Sequence, residues 1–161
     1  GALSAFSTTK KIQHIKPHGA MYNQAVNDPD LAKAICESIL EFDDQVILLA
    51  LTGSQWVKIA KQMGLRVARE VFADRAINSD GTLVSRTING SVIHDTSEVI
   101  ERSLKMVNDG VIESINGDLV EVEADSICLH GDTQGAVELS KSLKEEFINS
   151  GISILPLGEI V

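Results

Sequence analysis

The chain has 161 residues, 43% hydrophobic and 23% charged, the proportions of one globular domain around a single core. Its 23 acidic residues outweigh 14 basic ones, giving a net charge of -9 that no Lys/Arg cluster interrupts, so phosphate-backbone binding is excluded and no nucleic-acid partner is expected. No apolar run approaches the ~20 residues of a membrane span, which predicts no membrane partner, and the distant Cys36 and Cys128 read as buried thiols in a reducing, cytoplasmic setting.

The chain opens at "GALSAF", small and apolar from the first position, as if a helix had begun earlier. "KIQHIKP" reads as a short strand that stops at Pro17 and Gly19. Strand side chains alternate, so His14, Lys16 and His18 share one face. "NDPDLAKAICESILEF" reads as a helix capped by Asp28, with Pro29 first and Leu31, Ile35, Ile39 and Phe42 as its buried stripe. "QVILLAL" is a continuous apolar run, as a parallel strand covered on both faces requires. "SQWVKIAKQMG" predicts a helix from a Ser54 cap to a Gly64 stop, and "LRVAREVFAD" the third strand.

"NSDGTLVSR" carries an Asp80-Gly81 turn, and "DTSEVIERSLKMVNDG" a helix with an Asp95/Glu98 capping pair. "VIESINGDLVEVE" alternates around Asn116-Gly117, a hairpin signal. "ADSICLHGD" is a further buried strand. "TQGAVELSKSLKEEFINSG" predicts a helix with Ala136, Leu139, Leu143 and Phe147 inward, followed by a last strand, "ISILPL". Strand and helix thus alternate without a composition break. The pattern is one α/β domain, residues 1–161, with mainly parallel strands.

In parallel α/β folds, chemistry gathers at the C-terminal ends of the strands. Here the first strand ends with Lys16 and His18, with Tyr22 just beyond. The second ends at Thr52 and Ser54, and the third has Glu70, Phe72 and Asp74 on one face with Arg75 following. The fourth has Cys128, His130 and Asp132 on one face. If the strands are neighbours, these ends form one pocket.

Each residue also has an ordinary structural reading. Lys16 can pair with Glu70 or Asp74, Arg75 with Asp74, and Asp132 can cap a helix. His18 and His130 can be hydrogen-bonded framework histidines, and Tyr22 can pack on a loop. His14 reads as structural and His94 as a loop residue. As chemistry, the set offers two cations, three carboxylates and two imidazoles, which suits acid/base hydrolysis of a small anionic substrate or a His/carboxylate metal site. The chain has neither a GxxxxGK[ST] phosphate loop nor a GxSxG elbow.

"HIKPHGAMYN", "REVFADRAINSDGTLVSR" and "CLHGDTQGAV" resemble, in order and over nearly the whole chain, three signature segments of the LamB/YcsF family of 5-oxoprolinase A subunits. The resemblance implies a (β/α) barrel of the glycoside hydrolase/deacetylase type and a role in ATP-dependent opening of 5-oxoproline to L-glutamate with subunits B and C. It also implies ATP, with Mg2+, as co-substrate. A divalent metal is a further possibility that no residue here identifies.

In that scheme Lys16, His18, Glu70, Asp74, His130 and Asp132 carry the chemistry, and Tyr22, Arg75 and Thr52 hold substrate. Phosphate is expected on the lactam oxygen, with Lys16 or Arg75 neutralising the growing charge, and His18, His130 or a carboxylate moving the proton. Two features depart from the family pattern. Ile77 stands where the family has Tyr, and the acidic "DLNxDxGE" and "ACGxHAG" segments are absent. Set against barrels of ~250 residues, the chain reads as a C-terminal part lacking the N-terminal segment, with open sheet edges that favour a homo-oligomer. Two competing classes are a metal-dependent carbohydrate or amide deacetylase and a non-catalytic ligand-binding subunit.

Overall fold

The computed structural model describes residues 5–9, 11–131 and 135–161. In chain order its elements are β1 (His14–Ile15), α1 (Ala20–Asn27), α2 (Pro29–Phe42), β2 (Ile47–Leu51), α3 (Gln55–Gln62), β3 (Arg66–Phe72) and α4 (Thr96–Asn108). They continue with β4 (Val111–Glu113), β5 (Leu119–Glu121), β6 (Ser126–Cys128) and α5 (Ala136–Asn149), then a 3-10 turn at Leu157–Glu159.

β1, β2, β3 and β6 make one parallel sheet in that order, while β4 and β5 form a separate antiparallel hairpin. All five residues of β2 are buried, so this strand is covered on both faces. Behind the sheet, Leu48, Ala50 and Val67 pack with Ala32, Cys36 and Ile39 of α2 and Trp56, Val57 and Ala60 of α3. Burying a side chain the size of Leu48 contributes about 1.5–3 kcal/mol. Val71 joins Met106, Ile112 and Val122 in a second cluster that seats the hairpin.

Register decides which side chains share the other face. His14 pairs with Ile47, Leu51 with Glu70, Glu70 with Ser126 and Phe72 with Cys128. Paired residues point the same way. Lys16, two residues after His14, therefore shares a face with Glu70, Phe72 and Cys128, as alternation within each strand and parallel neighbouring strands together require. β1 and β6 are opposite edges, about 14 Å apart in a flat sheet of three strand spacings. Yet the Lys16 ammonium lies 3.2 Å from the Cys128 sulfur. Curling of the sheet, with this face concave, brings them together, and the four strands describe an arc of a barrel.

Most local signals act as expected. Asp28 accepts from the amides of Asp30 and Leu31, Ser54 from Val57 and Asp95 from Glu98. Gly117 holds φ 89 in the hairpin turn, a conformation open to glycine.

Four expectations are corrected. β1 is only two residues long, because Pro17 has no amide to continue the ladder. α1, a helix of eight residues starting after Gly19, stands where a loop was expected. Phe42 is 56% exposed at the end of α2, and Ala32 and Cys36 take the buried stripe instead. The segment 152–156 forms no strand; among the described residues no strand edge pairs with it. No helix among the described residues is long and apolar enough to cross a membrane.

Candidate active site

The concave face ends in a connected group of polar and aromatic side chains. Lys16 emerges directly after β1, Glu70 and Phe72 lie in β3, Asp74 two residues beyond, Cys128 closes β6 and His130 follows by two. All sit at the C-terminal ends of parallel strands, where the backbone leaves the ladder and side chains gain room.

Glu70 is 2% exposed, so its carboxylate needs compensation. One oxygen lies 2.7 Å from the Lys16 ammonium, and the other accepts a 2.9 Å hydrogen bond from the Tyr22 hydroxyl. Tyr22 reaches it from α1, the helix the sequence did not reveal. Burial, then the adjacent Glu70 charge, pushes the Tyr22 phenol far above its ordinary value, so it remains a donor. Lys16 also donates to Cys128 and stands 5.0 Å from the ring centroid of Phe72 and 5.5 Å from that of Tyr22. Burial, and then Glu70, raises the Cys128 thiol, which keeps it neutral beside the ammonium.

The second pair is Asp74 and His130. Asp74 is 1% exposed, and its two oxygens lie 2.9 and 3.0 Å from His130 Nδ1. The His130 amide also donates to Asp74, at 3.3 Å. A carboxylate on Nδ1 places the ring proton there and leaves Nε2 as the free basic nitrogen. The imidazole is stacked on Phe72, with ring centroids 5.8 Å apart.

The other expected site residues lie elsewhere or do other work. Arg75, expected to hold a substrate anion, is buried with its guanidinium donating to the Ser91 and Val84 carbonyls at 3.1 and 2.5 Å. These bonds brace the loop. Burial lowers its pKa, reinforced by the nearby Arg86 charge. Thr52 is buried too; its hydroxyl accepts from the Glu123 amide at 3.1 Å, tying the hairpin to β2. His18 is exposed and makes no hydrogen bond or ion pair among the described residues. Asp132 lies outside the described residues. His14 and His94 are exposed, and among the described residues His14 hydrogen-bonds Gln13 at 3.3 Å. Phe72 and Cys128 were placed on the correct face by alternation but given no role, since neither residue type announces chemistry.

Among the described residues no group of three or more His, Cys, Asp or Glu side chains is arranged to hold a metal ion. The arrangement offers an oriented imidazole and a fixed ammonium, both against the Phe72 ring, groups able to move a proton and to neutralise a developing oxyanion.

Comparison with known proteins bears on the family and the fold. The 5-oxoprolinase A subunit of Pyrococcus furiosus is 48% identical over 163 residues, covering 100% of this chain and 64% of its own length. A protein of the same name from Campylobacter jejuni is 47% identical with the same coverage. The crystal structure of a lactam utilization protein from Thermus thermophilus superposes with a TM-score of 0.85 at 36% identity, over 95% of this chain and 62% of that one. The chain thus spans about two-thirds of the length of these relatives, 64% and 62% respectively. The model of the LamB/YcsF family matches residues 1–161, and the chain belongs to that family.

Proposed function

We propose that this chain forms the lactam-handling wall of the A component of an ATP-dependent 5-oxoprolinase, which opens 5-oxoproline to L-glutamate together with subunits B and C. The observation that carries the reading is that the Asp74–His130 pair and the Glu70–Lys16 pair meet the same Phe72 ring at the strand ends. The names of the relatives supply the substrate class.

In this reading His130 Nε2 takes a proton from the attacking water and returns it to the lactam nitrogen as the ring opens, while Asp74 holds the tautomer. Asp74 is therefore a positioning residue. Lys16 neutralises the negative charge that grows on the lactam oxygen. Tyr22, expected to touch substrate, serves by holding Glu70, which in turn holds Lys16. His18, exposed beyond Lys16, faces arriving substrate.

Among the described residues no group of three or more His, Cys, Asp or Glu is arranged to hold a metal ion, and the sequence has no Walker-type loop, so no residue is assigned here to ATP or Mg2+. The steps assigned here are accordingly confined to the lactam and its proton. ATP belongs to the assembled enzyme, where its hydrolysis supplies the driving force that opening a five-membered lactam requires.

The test uses the full-length protein in complex with subunits B and C. Lys16→Ala should abolish 5-oxoproline-dependent ATP hydrolysis while circular dichroism shows the fold retained. Turnover at the parent rate in that variant would refute the role of Lys16 and with it this reading.

A further inference from the structure

The two halves of the site share one side chain that has no polar group of its own. Phe72 ends β3 between Glu70 and Asp74 and is 6% exposed. Its ring meets the Lys16 ammonium at 5.0 Å, the Tyr22 ring edge-to-face at 5.8 Å and the His130 ring in a stack at 5.8 Å with 22° between planes. Burial at a strand end requires only an apolar side chain, and Leu or Val would supply it. Three contacts with groups that carry charge or protons require more. An aromatic face carries partial negative charge and attracts an ammonium or imidazolium above it.

We infer that Phe72 is a positioning residue whose ring couples Lys16, with its Glu70 and Tyr22 partners, to His130, with its Asp74 partner. The reaction it serves is the one proposed above, and the inference rests on that reading for its kinetic readout alone. The charged and titratable groups around the ring are Lys16, Tyr22, Glu70, Asp74, Cys128 and His130. Glu70 holds the Lys16 ammonium and Asp74 holds His130. The ring lies against both the ammonium and the imidazole, and so holds each beside its own carboxylate.

The experiment replaces Phe72 in the full-length protein by 4-fluoro-, 3,5-difluoro- and 3,4,5-trifluorophenylalanine, which keep the shape of the ring and progressively cancel its negative face. With B and C present, kcat for 5-oxoproline should fall stepwise, by roughly tenfold for the trifluoro ring, with KM within about threefold. Phe72→Leu should lose at least as much.

A second readout needs no substrate. The 15N–1H signal of the Lys16 ammonium, visible when hydrogen bonds and packing hold it, should fade along the same series. An unchanged kcat across the fluorinated rings overturns the inference, whatever the signal does. If the parent assembly shows no 5-oxoproline turnover, the proposed function fails and the signal alone decides. Fading then supports the positioning role, and persistence overturns it.

Discussion

His130 turns one ring nitrogen to both oxygens of the Asp74 carboxylate, at 2.9 and 3.0 Å, and leaves the other nitrogen without a partner among the described residues. The sequence ends two strand units with a histidine and gives no reason to prefer either. The structure does: His130 is oriented by a buried carboxylate, and His18 is not.

That difference predicts unequal effects on turnover. In the full-length, assembled enzyme His130→Ala should lower kcat by about 10²–10⁴-fold. Asp74→Asn should lower it in the same direction, since an amide no longer fixes the tautomer. His18→Ala should cost less than about tenfold. Steady-state kinetics of the three variants checks the order.

Glu70 is 2% exposed, so removing its cation leaves a carboxylate buried with only the Tyr22 hydroxyl. Lys16→Met should destabilise the fold by about 3 kcal/mol, and adding Glu70→Gln should recover most of that loss. Urea denaturation of both variants measures it. Neither variant should turn over 5-oxoproline, which separates the stability of the pair from its chemistry.

Tyr22→Phe keeps the edge-to-face contacts with Trp56 and Phe72 and deletes only the hydrogen bond to Glu70. A buried acceptor left unsatisfied costs about 1–3 kcal/mol. The variant should lose stability in that range while its aromatic near-ultraviolet circular dichroism keeps its shape. A loss confined to activity would place the hydroxyl on the substrate instead.

On the far side of β3, Arg69 donates to both oxygens of Asp125, at 2.6 and 2.7 Å, and the Arg69 amide adds a third bond at 2.9 Å. Burial acts to raise the Asp125 pKa, and the Arg69 hydrogen bonds outweigh it, leaving the carboxyl below its ordinary value of 3.8. A carboxyl depressed in the folded state stabilises the fold fully above its unfolded pKa, and that stability is lost as pH falls through the folded one. Asp125→Asn should therefore destabilise the protein at pH 7, and the gap to the parent should narrow as pH falls below about 4. Denaturant midpoints at the two pH values test this.

Much of the site was legible because a strand has a period of two. Alternation set Lys16, then Glu70 and Phe72, then Cys128 and His130 each on one face of its own strand, and the parallel register aligns Glu70, Phe72 and Cys128 across the sheet. The partners of Arg75 and Thr52 were not legible, for a different reason. Their partners are main-chain groups of Val84, Ser91 and Glu123, and a backbone carbonyl or amide leaves no mark on sequence composition. α1 escaped notice because it is short and follows a Pro and a Gly, with packing of Tyr22, Ala25 and Val26 sustaining it rather than propensity. The predicted last strand had the right residues, but a strand also needs an edge, and sequence pattern does not report one.

The most direct measurement is 5-oxoproline-dependent ATP hydrolysis by the full-length protein with subunits B and C, comparing parent, Lys16→Ala and His130→Ala at matched thermal stability. The account predicts turnover by the parent and a loss of at least about 100-fold in each variant. Parent-like turnover in either folded variant would contradict it.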